Sequence, residues 1–443
     1  MTYDGARVLY NARFDAIRPA AIARCRSVDD VRACVGFAAT YDVPLALRSG
    51  GHSYGGWSTG MGLVIDTAPL NAIDVRGDHA IVGAGVKLID LYGALGAVNA
   101  SVPGGSCATV GVAGLALGGG IGVMSRSWGL LCDDIVAADI VTADGRVTSC
   151  DGQREPDLYW ALRGGGAGSF GVVTSLTLRT HPVGSLAVAF LSWPWTSART
   201  VIAAWQDFMG QAPDALWSNL HLDGDSGGAQ LTLYAVHAGT TASLATQLDR
   251  LDALSGIRAS RSLALRSFSD VTLIDAGCFG RTVSQCHLAG QTPDGTLERD
   301  TYAASSIVAN APLSADAIAA LIKGFDPVAA GTAYSVIYDA LGGAVSRVAP
   351  DATAFPYRGA LGVLQFVVHW SDASHQSDAL TALRSHRAEV AARSSNAAYA
   401  NYADPDLADW PQAYYGANYP RLQRVKRTYD PGDLFRFPQS IKP

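Results

Sequence analysis

Between Gly104 and Arg126 the chain reads GGSCATVGVAGLALGGGIGVMSR, a run that no ordinary helix or strand tolerates. Gly111, Gly114, Gly118, Gly119, Gly120 and Gly122 each weaken regular structure, because glycine loses the most conformational freedom on folding and has no side chain to pack. Apart from Cys107 and Thr109, the stretch CATVGVAGLALGGGIGV has no polar side chain. Two readings fit it: a glycine-packed core turn, or backbone brought close to something flat or phosphorylated. On the first reading Cys107 is core filler; on the second it stands beside a ligand.

The rest of the chain sets the scale. Its 443 residues suffice for two or three domains, and 49% hydrophobic with 16% charged residues is the balance of a packed globular enzyme. The formal charge of −6 is spread over interspersed acids and bases with no Lys/Arg block, which argues against nucleic acid or an anionic membrane as partner. The opening MTYDGARVLYNARFDAIRP lacks the basic-then-apolar order of a secretory signal, so a soluble, cytoplasmic chain is expected. Seven cysteines form no CxxC pair and no dense framework; Cys278 and Cys286-His287 lack a second pair at finger spacing, and no metal is expected.

Along the chain, PAAIARCR reads as a strand, and Ser27 caps a helix whose apolar stripe is Val31, Cys34, Val35 and Ala38. VPLALR, GLVIDTAPL, HAIVGAGV and IVAADIVTADGRVTS read as strands, the last turning at Asp144-Gly145, and KLIDLYGALGAV as a helix between them. The texture changes near Thr180-His181-Pro182. From there to about Ser394, alternating strands such as QLTLYAVHA, AYSVIYDA and LGVLQFVVHW lie between amphipathic helices such as ARTVIAAWQDFMGQ and ASLATQLDRLDALSG. That pattern predicts an antiparallel sheet covered by helices on one face, hence an α+β chain. The last stretch, from Pro420, reads as a helix stopped at Asp430-Pro431-Gly432 and an extended tail.

Two motif matches fail on context. GWSTG, Gly56 to Gly60, fits a nucleophile elbow, yet Ser58 is followed by a turn and strand instead of a helix. GAGSFG, Gly166 to Gly171, fits the dinucleotide fingerprint, but the alternating VVTSLTLRTHP follows it and no acid appears until Asp207. By contrast RSGGHSYGG offers a diphosphate what it needs: glycines for close approach, N–H groups for an anion nest and the charge of Arg48. His52 lies inside that loop, either as a surface histidine or as part of the nest.

Taken in order, RSGGHSYGGWS, CATVGVAGLALGGGIGVMSRSWGLLCDDI, DLYWALRGGGAGSFGVVTSL, NYADPDL and YYGANYPRLQRVKRTYDPGDLFRFPQSI resemble the berberine-bridge-enzyme-like flavoproteins of the vanillyl-alcohol-oxidase class. The match weakens between about 185 and 390. The resemblance implies a two-domain PCMH-type FAD-binding fold: residues 1–183 and a C-terminal segment, 395–443, build the FAD domain, and 184–394 form an inserted substrate domain. It implies FAD bonded through its 8α-methyl group to His52 and through C6 to Cys107, where Ala108 replaces the common proline. Arg48, Ser49, Gly50, Gly51, Ser53, Thr109, Val110, the six glycines from Gly111 to Gly122, Gly171, Val172, Val173, Tyr415 and Asn418 are implied as its further contacts. A thiolate at Cys107 needs a lowered pKa, which backbone dipoles or a cation can supply.

The resemblance further implies Tyr402 of NYADPDL as the base of an alcohol oxidation, with Asp339 of YDALGG as its acidic partner. The plain alternatives are a packed tyrosine and a strand-end aspartate. Val110 stands where related proteins gate oxygen, which leans towards an oxidase that turns O2 into H2O2. Gln365 and His369, at i and i+4 of a strand, share one face and are expected on the flavin side, with Ile337 among the substrate contacts. Ser335 and Ile337 facing with Asp339 predict an apolar wall and a bulky secondary-alcohol substrate, a sugar or a glycosylated or polyketide-like metabolite of secondary metabolism. The other readings are oxidation of a C–N bond, a dehydrogenase, a deazaflavin in place of FAD, and a flavin carrier. A monomer or homodimer is expected.

Overall fold

The computed structural model describes residues 2–326 and 328–443. Three short strands, β1 (Ala21–Arg24), β2 (Leu45–Arg48) and β3 (Leu63–Asp66), form a parallel sheet in the order β1-β3-β2. The helix Val28–Tyr41 joins the first two; Ser27 and Asp30 cap it reciprocally, and Val31, Val35 and Ala38 are its buried stripe. Next come β4 (Ile73–Arg76) and β5 (His79–Gly83), then the two-residue β6 (Ala100–Ser101). β7 (Ile135–Val141), β8 (Val147–Asp151) and β9 (Val172–Arg179) complete an antiparallel sheet in the order β4-β5-β9-β7-β8. β10 (His181–Pro182) returns to pair with β6.

Beyond it the chain builds one seven-stranded sheet from β11 (Leu186–Trp193), β12 (Leu216–Asp225), β13 (Gly228–His237), β14 (Ser260–Arg266), β15 (Tyr302–Ala309), β16 (Thr332–Ala340) and β17 (Gly362–Trp370). Every pairing is antiparallel, in the order β14-β11-β13-β12-β16-β17-β15.

Successive side chains of a strand point to opposite faces, and the central strands separate their roles accordingly. Ser218 and Tyr338 face the helix Ala198–Gly210: the Trp205 indole donates to Ser218 at 2.9 Å and its ring lies 4.6 Å from that of Tyr338. Trp205 and Phe208 are fully buried there, each such side chain contributing about 1.5–3 kcal/mol of transfer free energy. Trp217, Asn219, His221, Ile337 and Asp339 occupy the alternate positions and face a large cavity.

The glycine run contains the short helix Val112–Gly118, and a second, Ser125–Trp128, begins at its far end, where Arg126 anchors it. That buried guanidinium donates to the carbonyls of Leu216 at 2.7 Å and Ala212 at 2.9 Å, and to that of Leu341. The Gly342-Gly343 pair folds around it: a Cβ on Gly343 would lie 2.3 Å from the Arg126 carbonyl oxygen. The C-terminal helix Tyr419–Tyr429 buries Lys426, which donates to Asp430 at 2.6 Å, to the Phe435 carbonyl at 2.8 Å and to the Ser169 carbonyl at 2.9 Å. No helix among the described residues is long and apolar enough to cross a membrane.

Candidate active site

A cavity of about 650 Å3 lies between the seven-stranded sheet and the glycine-rich loops. Both anchor candidates line it. His52 is held from one side by Tyr10, whose ring stacks on the imidazole at 4.0 Å and 15°. Neither ring nitrogen reaches solvent or finds a hydrogen-bond partner. Burial, reinforced by the charge of Lys87, pushes the imidazole down to about 3, so it is neutral at physiological pH. The surface-loop reading of His52 is thereby excluded. Lys87 itself is brought down to about 8 by burial and donates to the Gly50 carbonyl at 2.8 Å.

Cys107 also reaches the cavity, 3.8 Å from the Ser106 hydroxyl. Burial raises its pKa, the Ser106 hydrogen bond opposes that rise and the charge of Asp275 adds to it, so the side chain rests as a thiol.

Several of the glycines make room for the protein's own backbone and side chains as well as lining the cavity. A Cβ on Gly50 would meet the Gly111 nitrogen at 2.1 Å, and one on Gly111 would meet Gly50 nitrogen at 2.3 Å, so the two motif loops touch backbone to backbone. Gly118 leaves room for Asn401, whose Oδ1 would lie 1.9 Å from an added Cβ. The Asn401 amide donates to the Leu115 carbonyl at 2.9 Å, and the Tyr399 hydroxyl accepts from Gly120 N–H at 2.7 Å. The glycine run is thus the seat of the NYADPDL segment. Gly114 differs: nothing lies within 4 Å of a Cβ there, and it lines the cavity.

Other expected contacts divide. Ser49, Gly51, Ser53, Val110, Gly122, Gly171, Val172, Val173 and Tyr415 line the cavity. Thr109, Gly118, Gly119, Gly120 and Asn418 do not; Asn418 donates instead to the carbonyls of Pro350 and Thr353 at 2.8 and 3.2 Å. Arg48 lines the cavity, but its three nitrogens donate to the carbonyls of Ser58, Ala6 and Arg7. It fastens the N-terminal segment through those carbonyls, which are neutral and leave its positive charge at the cavity wall. Ser58 is the loop residue its context suggested, and GAGSFG runs straight into β9.

At the sheet end, the Tyr402 hydroxyl donates to Asp339 Oδ2 at 3.5 Å, and Asn219 donates to Oδ1 at 3.1 Å. The Tyr402 ring is stacked on Tyr54 at 5.6 Å and 12°, and the Tyr54 hydroxyl accepts from Gln365 at 2.9 Å. Burial and then the Asp339 charge hold Tyr402 well above an ordinary phenol. Burial also raises Asp339, against the hydrogen bonds of Asn219 and Tyr402 and the charge of His221. Gln365, His369 and Ile337 all line the cavity, with His369 paired to Asp300 at 2.8 Å. The expected apolar wall, with Trp217, Ile337 and Val367, is interrupted by polar side chains: Ile337 lies in register between His221 and Gln365.

Tyr10, Tyr54, Asn219, Tyr302 and Asp275 enter the cavity without a sequence expectation. Register with Asp339 could have found Asn219; Tyr10 and Asp275 are brought in from separate stretches by tertiary packing alone.

Comparisons with known proteins agree with this geometry. A family model described as FAD binding domain matches residues 19–151, and one described as berberine and berberine like matches residues 398–442. An FAD-linked oxidoreductase of Bacillus subtilis is 32% identical over 454 residues, spanning 100% of this chain and 95% of that protein. The xylooligosaccharide oxidase of Thermothelomyces thermophilus is 30% identical, over 96% of this chain and 87% of its own. The solved structure of a berberine-bridge-enzyme-like protein from Physcomitrella patens superposes with a TM-score of 0.90 at 30% identity, covering 99% of this chain and 94% of that one.

Proposed function

The chain belongs to the berberine-bridge-enzyme-like FAD-linked oxidoreductases of PCMH-type fold, and on that premise we propose that it oxidises a secondary alcohol with covalently held FAD. The single observation carrying the reading is the Tyr402 hydroxyl directed at Asp339 inside the cavity that holds both anchors. FAD, when bound, supplies the two-electron acceptor, with molecular oxygen taking the electrons onward to H2O2.

The residues suit that group. His52 is neutral, the nucleophilic form of imidazole, and its two ring nitrogens have no partner in the protein. Cys107 on the neighbouring loop is the second point of attachment, and Val110 governs oxygen access beside it. Residues 1–183 with 395–443 form the flavin part, and 184–394 form its roof.

Tyr402 removes the proton of the substrate hydroxyl as its own phenolic proton passes to Asp339 Oδ2. A phenol raised this far is a weak proton donor to water and a competent base only with an acceptor behind it. Asp339 is that acceptor, and Asn219 orients it. Gln365 fixes the Tyr54 ring on which Tyr402 stacks, so the oxygen cannot swing away. The polar sheet face favours a hydroxylated substrate over a purely hydrophobic one. Stopped-flow reduction of Tyr402→Phe tests the reading. A rate lowered by about 10²-fold or more fits a lost general base, whereas a change of only a few-fold points to C–N oxidation of a free amine.

A further inference from the structure

Three side chains on the cavity face of β12 and β13 carry polar atoms with no partner. Trp217 Nε1, Asn219 Oδ1 and the Tyr234 hydroxyl are all shut from solvent and unbonded, on residues only 3%, 6% and 6% exposed. Native proteins seldom leave such groups unsatisfied, and a buried polar atom without a partner costs about 1–3 kcal/mol. These three are neighbours. Asn219 lies opposite Tyr234 in the sheet register, and the rings of Trp217 and Tyr234 meet edge-on at 6.1 Å.

Asp275 faces them from the end of the helix Phe268–Asp275 and lines the same cavity. Among the described residues nothing donates a hydrogen bond or forms an ion pair with its carboxyl. The two arginines that line the cavity point to other partners: Arg48 to the Ser58 carbonyl at 3.1 Å and Arg436 to Asp42 at 3.0 Å.

We propose that Trp217, Asn219, Tyr234 and Asp275 form a second polar subsite that binds an ammonium group and a neighbouring hydroxyl on the substrate. The atoms match that pairing. A carboxylate without a donor takes an ammonium; the indole N–H needs an oxygen acceptor, and Asn219 Oδ1 needs a donor, which one hydroxyl supplies together. Burial and then the charge of Asp339 push Asp275 up to about 7, so an arriving cation provides the counter-charge that the chain withholds. Tyr234, stacked on Phe190 at 5.0 Å, gives the ring of such a substrate a flat apolar neighbour. The inference rests on the alcohol-oxidase reading for the reacting carbon and adds an amino alcohol, of the amino-sugar type, as the recognition group.

The test is calorimetric titration of the flavin-loaded protein under nitrogen with the glucosamine disaccharide and with cellobiose, which differ by amine for hydroxyl. The expected result is a preference for the amine of about tenfold, the size of one charge-assisted hydrogen bond. Asp275→Asn abolishes that preference, and Trp217→Phe weakens both ligands. Tyr402→Phe keeps the preference, so failure of the base reading and failure of this one are told apart. Equal binding of the two sugars, no binding of either, or an undiminished preference in folded Asp275→Asn overturns the proposal.

Discussion

The Tyr402 hydroxyl is directed at one oxygen of Asp339, at 3.5 Å, while Asn219 holds the other at 3.1 Å. The two acidic groups come from opposite ends of the fold's logic: Asp339 ends a strand of the large sheet, and Tyr402 rides a turn seated on the glycine run. If they act as one proton relay, Tyr402→Phe and Asp339→Asn each lower the rate of flavin reduction by about 10²–10⁴-fold. The double variant is then scarcely slower than the worse single one, because residues that work as a unit are non-additive. Anaerobic stopped-flow spectroscopy measures all four proteins.

The same relay has a pH signature. Burial raises Asp339, and Tyr402, Asn219, His221 and Asp275 are the polar or titratable groups around it. The relay requires its carboxylate, so flavin reduction slows on acidification through an apparent pKa above the ordinary value of about 3.9. That value belongs to the coupled pair. In Asp339→Asn the acidic limb disappears from the rate–pH profile.

Asp275 should show itself in stability. Its folded value of about 7 lies above that of the unfolded chain, so the folded state holds the proton more tightly. Its contribution is present at acidic pH and is lost as pH rises through about 7. Thermal melts of wild type and Asp275→Asn should therefore diverge with rising pH, with the variant the more stable above neutrality.

Gly50→Ala and Gly114→Ala separate the two uses of glycine. The first drives a Cβ to 2.1 Å from Gly111 nitrogen, while the second meets nothing within 4 Å. Gly50→Ala should cost at least about 1–3 kcal/mol by overpacking and lose flavin. Gly114→Ala should not destabilise the flavin-free chain, since the new Cβ meets no protein atom and alanine favours the helix Val112–Gly118 by about 0.5–1 kcal/mol over glycine. Denaturant unfolding and flavin content report both.

Lys426→Met breaks a buried pair with Asp430 that also holds the Ser169 and Phe435 carbonyls. Leaving Asp430 uncompensated should cost about 3–5 kcal/mol. Chemical denaturation measures the loss.

Periodicity disclosed the strands and helices of the large sheet, because alternation and amphipathic stripes are local properties. The motif order disclosed His52, Cys107, Tyr402 and Asp339, which meet in one cavity. The physical reason for the glycines was not legible. Gly50 and Gly111 are far apart in sequence, and only the fold shows that each makes room for the other. The three carbonyl partners of Arg48 were not legible either, since two of them lie in a segment about 40 positions away. The pocket wall also read as apolar from β16 alone, since His221 and Asn219 come from a strand more than 100 positions away.

The central claim is that His52 and Cys107 both hold the flavin, and mass measurement of the acid-precipitated chain tests it most directly. A flavin adduct should remain on wild type, survive in His52→Ala and in Cys107→Ala, and vanish in the double variant. A wild-type chain that precipitates free of flavin mass would contradict the account.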